Sequence, residues 1–250
     1  MIEFDITVPG SNRDVYAQYI KAKNEAESVI IIIPGGGYDH VSAREGMPVA
    51  KKFLAFGHDV IILHYSVAPA RFPVQIKELS KCFEYLKNKN MKKYILGFSA
   101  GGHLAASYSM LWKEMFGGDS TYRPDGQILC YPVITSGEYA HRGSFENLLG
   151  SDMNEKTLDD LSLEKHINAG VPGTFIWHSV MDESVPAENS LLYAQALKKA
   201  DVKFSLHIFS DGKHGIGLGT KESARDKNDI CPECAQWTAL ADKWIKKGEK

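Results

Sequence analysis

The sequence predicts an α/β fold, a mainly parallel central sheet with helices on both faces and an N-terminal antiparallel hairpin. Three observations carry this. Strand-like runs alternate with helix-like runs along most of the chain. The run Ser28–Ile33 is continuously apolar and rich in β-branched residues, the mark of a strand covered on both faces. Residues 2–8 and 15–22 alternate and flank Pro9-Gly10-Ser11-Asn12, the pattern of a hairpin.

Each element follows from its residues. After the buried run comes Pro34-Gly35-Gly36-Gly37, a sharp loop. Residues 45–55 then repeat apolar side chains at helical spacing (Met47, Val49, Ala50, Phe53, Leu54) and stop at Gly57. Residues 59–65 read as a second buried strand, and Val74–Leu86 as a helix with Ile76, Leu79, Phe83 and Leu86 on one face. Residues 93–98 predict a strand, 100–116 a helix, 127–134 a strand, 174–178 a strand, 187–200 a helix and 203–209 a strand. Residues 234–246 close the chain as a helix with Trp237, Leu240, Ala241 and Trp244 inward. Residues 135–170 are polar, hold Gly137, Gly143 and Gly150 and show only short helical patterns such as 154–161. So long a connection predicts a functional loop or lid.

Composition narrows the function. The 250 residues carry 29 Lys and Arg against 31 Asp and Glu, a net charge of −2, with 44% hydrophobic and 24% charged residues. This excludes disorder and gives no electrostatic footprint for nucleic acid or anionic lipid. The length allows one large domain or two small ones; a chain of this size buries roughly 70–75% of its unfolded surface and needs no disulfide staples. The N-terminus has no basic segment followed by an apolar one, and the apolar run 29–33 is too short to span a bilayer, so a cytoplasmic location is expected. Cys82 and Cys130 fall in helix and strand patterns and read as small buried hydrophobes. Cys231 and Cys234 have metal-clip or redox spacing, but a single pair supplies half of a zinc site. They are expected to be structural or incidental, with a zinc or redox role the lesser alternative and no metal or cofactor required.

The chemistry concentrates in four places. Gly97-Phe98-Ser99-Ala100-Gly101 fits G-x-S-x-G between a strand and a helix, the context of a nucleophile elbow. A chain that reverses sharply at the serine leaves no room for bulk two residues before or after, so Gly97 and Gly101 relieve the turn. The Pro34–Gly37 loop offers backbone N–H groups, with Gly36, Gly37 and Ala100 the candidate oxyanion donors and Tyr38 the candidate substrate-binding residue. A plain Gly-rich turn is the bland alternative, and phosphate-loop spacing is absent. An acid is expected after a late strand: Asp182 is preferred to Glu183 because its shorter side chain can brace an imidazole from that turn. His214, in a glycine-flanked loop after the last strand, is the candidate base. His58, His64 and His207 read as structural, His178 as support for the acid turn, and His40, His103, His141 and His166 lack the required position.

With these residues in hand the chain resembles the α/β-hydrolase superfamily, and within it the small carboxylesterases grouped with acetyl-xylan and feruloyl esterases, near the hormone-sensitive-lipase-like enzymes. The resemblance rests on Ile31 to Tyr38, Arg44 to Ala50, Leu63 to Pro69, Gly97 to His103, Arg123 to Asp125 with Tyr131 to Val133, Trp177 to Pro186 and Gly212 to Gly215. It implies an α/β-hydrolase fold in a single domain, 1–250, with 135–170 as a small lid or insert. It implies a serine carboxylesterase with Ser99, Asp182 and His214 as its triad, no cofactor, and a short-chain acyl ester as substrate, acetylated sugars or xylo-oligosaccharides among them. No nucleic-acid or membrane partner is expected, and a homo-oligomer stays open. An amidase, formamidase or small peptidase of the same fold is the alternative, and a non-catalytic ligand receptor a weaker one. The chain departs from the lipase-like pattern in two places. Pro34 stands where those relatives carry a loop-orienting histidine, and the Cys231–Cys234 pair with the residues before it, 224–230, looks like a local insertion after the base loop.

Overall fold

In the computed structural model, which describes residues 1–248, the apolar run Ser28–Ile33 is strand β3, and every residue of it is buried. The reason is visible in its two side-chain rows. Val29, Ile31 and Ile33 enter one core, while Ile30 and Ile32 enter another on the opposite face of the sheet. Around it stand β1 (Ile2–Asp5), β2 (Tyr16–Ile20), β4 (Asp59–His64), β5 (Lys92–Phe98), β6 (Gly126–Cys130), β7 (Thr174–Ser179) and β8 (Phe204–Phe209). The order across the sheet is β1-β2-β4-β3-β5-β6-β7-β8. From β4 to β8 all pairings are parallel; β1 and β2 form the expected hairpin, which joins the sheet antiparallel to β4.

Helices cover both faces. The larger core lies under α2 (Val74–Leu86), α3 (Ala100–Met115) and α6 (Glu188–Lys199). The second core packs α1 (Met47–Phe56) and α7 (Trp237–Lys247) against the sheet, with Phe53, Trp177 and Trp237 at its centre. Cys82 is buried in the first core; Cys130, Cys231 and Cys234 are buried in the second, and all four are free thiols.

Two expectations need correction. The strand expected over 127–134 stops at Cys130, because Tyr131 adopts a positive φ of 36° and Pro132 has no N–H for the ladder. The freed N–H groups are met elsewhere: Val133 donates to the Ser99 carbonyl at 3.1 Å, and Ile134 and Thr135 donate to Asn189 Oδ1. The region 135–170 holds more structure than its composition indicates. It contains α4 (Arg142–Leu149) and α5 (Glu155–Asp160), the latter closed by a capping box at Asn154. Phe145, Leu148, Leu149, Leu161 and Leu163 are all buried, so this segment is packed onto the first core.

Candidate active site

The parallel strands direct their C-terminal ends to one edge, where loops gather above β3, β5, β7 and β8. Ser99 follows β5 directly, with φ 51° and ψ −118°, a conformation that costs a non-glycine residue energy and aims the side chain off the sheet. A Cβ on Gly97 would lie 2.2 Å from the Gly101 carbonyl oxygen, and one on Gly101 would lie 2.2 Å from that of Ile33. The elbow therefore closes only with glycine at both positions.

The residues proposed as acid and base converge on it. His214 Nε2 is 2.8 Å from Ser99 Oγ, and His214 Nδ1 is 2.6 Å from Asp182 Oδ2. Asp182 Oδ1 accepts the N–H groups of Ser184 (3.0 Å) and Val185 (2.9 Å). His178 lies beneath the acid, its Nε2 shared between the Val185 carbonyl at 2.8 Å and Asp182 Oδ2 at 3.3 Å. Burial acts to raise the Asp182 carboxyl, but the hydrogen bonds from His178, His214 and Val185 prevail and hold it well below the usual carboxylate range. Glu183 is exposed and faces the cleft instead.

The glycine loop is tied down at nearly every polar atom. Pro34 O accepts the Tyr65 hydroxyl (2.8 Å), Gly35 O the Ser42 N–H (3.0 Å), Gly37 O the Asn147 side-chain amide (2.9 Å) and Tyr38 O the Ala68 N–H (2.8 Å). Gly36 O takes the N–H groups of Asp39 and His40. Gly36 and Gly37, at φ 124° and 62°, both line the cleft, and among the described residues their N–H groups meet no protein acceptor. Ala100 N–H is the first of α3, at the end where helical N–H groups have no partner in the helix. The arrangement has a hydroxyl, a base in contact with it, a carboxylate behind the base, and unsatisfied donors beside the hydroxyl.

Tyr38 departs from its expected role. Its side chain is 1% exposed and its hydroxyl is bonded to His103 Nδ1 at 3.0 Å, so it packs into the core and does not face the cleft. The cleft itself, about 730 Å³, has other walls. His141 and Asn147 from the α4 region, Met181, Lys213, Arg44 and Arg225 border it; among the described residues it includes no Phe, Tyr or Trp. Sequence reasoning set His141 aside and did not single out Glu45, Asn147 or Arg225. Arg225 falls in the 224–230 insertion and Glu45 in the Arg44 to Ala50 stretch, but the spacing assigned neither a role. Burial, and then the neighbouring His214, push the His141 imidazole below its usual range. The Cys231 and Cys234 thiols lie beneath the base loop, and Cys234 Sγ donates to the Asp211 carbonyl at 2.9 Å. Among the described residues no group of three or more His, Cys, Asp or Glu has the geometry to hold a metal ion.

A mainly parallel eight-stranded sheet with a serine elbow after β5 and loops bearing Asp182 and His214 after β7 and β8 is the architecture of an α/β-hydrolase. Within that class the chain belongs to the prolyl oligopeptidase family, which residues 74–237 match; residues 14–128 also match the BD-FAE family. It is similar to endo-1,4-beta-xylanase B of Butyrivibrio fibrisolvens, 33% identical over 82% of this chain and 35% of that one. It is also similar to the acetylxylan esterase of Xylanibacter ruminicola, 29% identical over 79% of this chain and 43% of the other. The chain thus spans between about a third and a half of the length of these two curated relatives. Among solved structures, the acetyl ester-xyloside bifunctional hydrolase of Caldicellulosiruptor lactoaceticus superposes with a TM-score of 0.82 at 33% identity, covering 96% of this chain and 90% of that one.

Proposed function

We propose that this chain is a serine carboxylesterase that hydrolyses short-chain acyl esters, acetylated sugars or xylo-oligosaccharides among them. The observation that carries this reading is the unbroken series from Ser99 Oγ through His214 to Asp182, set beside two free N–H groups. His214 Nε2 takes the Ser99 proton as Oγ attacks the ester carbonyl. The N–H groups of Gly36, Gly37 and Ala100 stabilise the oxyanion that forms. Asp182 holds the imidazole by its Nδ1–H and offsets the charge of the imidazolium. That imidazolium gives its proton to the leaving alkoxide, and a water, deprotonated by the same nitrogen, releases the acyl group and restores the serine.

The substrate class is supported by the relatives with acetylxylan esterase and acetyl ester-xyloside hydrolase activity in their names, and by the hydrogen-bonding side chains of Asn147, Arg44 and Arg225 that border the cleft. The one-domain organisation, with 135–170 as a packed insert, belongs to the same proposal. The match to the prolyl oligopeptidase family favours a second reading, amide hydrolysis by the same groups. Rates on p-nitrophenyl acetate, acetylated xylo-oligosaccharides, N-formyl and peptide substrates, for the native chain and Ser99→Ala, decide between them. Ester turnover lost in Ser99→Ala supports the proposal; faster cleavage of amides, or ester turnover that survives the substitution, sinks it.

A further inference from the structure

Glu45 lies in the short helical turn Ala43–Glu45 before α1, at 2% exposure, with its carboxylate directed at the floor of the cleft. Its two oxygens take one donor each. Oε2 accepts the Gly35 N–H at 2.8 Å, and Oε1 accepts the Tyr131 hydroxyl at 2.7 Å. These donors belong to two different walls. Gly35 is the first glycine of the donor loop, pressed so close to the elbow that a Cβ on it would lie 3.0 Å from both Glu45 Oε2 and Ser99 Cβ. Tyr131 follows β6, accepts the Gly217 N–H from the base loop at 3.0 Å, and sets its ring against the His214 imidazole, centroids 5.0 Å apart.

We infer that Glu45 is a positioning residue of this site, whose carboxylate holds the Gly36–Gly37 donors and the His214 loop at a set separation on either side of Ser99. The chain of bonds runs Gly35 N–H to Glu45, Tyr131 hydroxyl to Glu45, and Gly217 N–H to Tyr131. A carboxylate suits the task because it is an acceptor at both ends and both neighbours are donors. It takes up the Gly35 N–H beside the Gly36 and Gly37 donors, and so occupies the anchoring role left open by Pro34. A buried carboxylate is costly, and a fold needing only volume here would be better served by an apolar side chain. A misplacement of the donors by a fraction of an ångström weakens the transition state far more than the bound substrate.

The test uses Glu45→Gln, Tyr131→Phe and the double variant. It compares kcat, KM and the rate of fluorophosphonate labelling of Ser99, with the thermal midpoint as the control for folding. Glu45→Gln is expected to lower kcat and the labelling rate by about 10- to 100-fold, with KM within about twofold. Tyr131→Phe is expected to lower them by about 3- to 10-fold, and the double variant to be no worse than Glu45→Gln, because both changes cut one chain of bonds. Unchanged kcat per labelled site in Glu45→Gln, or losses that multiply fully in the double variant, overturn the inference. Should Glu45→Gln fail to fold, Tyr131→Phe decides: a lowered kcat at native KM supports the link, and an unaltered kcat overturns it. The inference rests on the serine hydrolase reading, and the two fail differently. An unreactive Ser99 in the native chain overturns both, whereas a reactive Ser99 indifferent to Glu45 overturns this one alone.

Discussion

Asp182 keeps its charge in a place where burial works against it, and the loop that bears it explains how. Four donors converge on the carboxylate, from His214, His178 and the backbone N–H groups of Ser184 and Val185, and none of them reaches the exposed Glu183 next door. Asp182→Asn is therefore expected to lower kcat by about 10⁴-fold with the fold intact, as loss of the orienting carboxylate does in such triads, while Glu183→Gln stays within a few-fold; steady-state kinetics separates the two. His103 makes the complementary case. It is 1% exposed, between the Tyr38 hydroxyl and the Leu161 carbonyl, and burial pushes its imidazole down to about 4. The unfolded chain binds a proton at this residue near pH 6.5, the folded one only near 4. Stability contributed by neutral His103 is thus present above pH 6.5 and is lost as pH falls toward 4, by roughly 3 kcal/mol. Thermal midpoints between pH 7 and 4 should fall more steeply for the native protein than for His103→Gln. The convergence of Ser99, Asp182 and His214 was legible in the sequence because each sits at a fixed offset from a strand end, and strand ends leave a pattern. Tyr38 and Glu45 were not, because local spacing records neither which way a side chain turns out of a glycine loop nor which distant donor it meets.

At the level of elements, legibility followed how far each segment's periodicity agreed with its packing. The helix read over Val74–Leu86 has those bounds, since one apolar stripe faces one core. Helix α4 was missed because its sequence, Arg142 to Leu149, begins with charge and glycine and is only eight residues long. Yet α4 borders the site. Phe145 packs edge-on against His103, and Asn147 reaches across to the Gly37 carbonyl. Removing that anchor in Asn147→Ala frees the donor loop at Gly37, two residues from the Gly35 bond to Glu45. A loss of about tenfold in kcat, the equivalent of one net hydrogen bond, is expected with little change in thermal midpoint. A larger fall in midpoint than in kcat would assign Asn147 to the fold instead.

At the level of the whole molecule, the loops carrying Gly36, Ser99, Asp182 and His214 come from β3, β5, β7 and β8 of one continuous sheet, with a core on each face. A single sheet shared by both cores favours one cooperative unit, so urea unfolding followed by fluorescence and by far-ultraviolet circular dichroism should give coincident transitions. Two separate transitions would show that the insert or the hairpin melts alone. The second core also turns the molecule into its own optical reporter. Trp177 and Trp237 stack 5.6 Å apart; Tyr131 lies edge-on to Trp177 at 4.9 Å, and the Trp237 indole donates to the Gly217 carbonyl. That indole pair thus lies one aromatic ring away from the His214 imidazole, so charging or displacing the imidazole is expected to change the tryptophan emission. Stopped-flow tryptophan emission then tests, without an added dye, whether His214 takes up a proton during turnover.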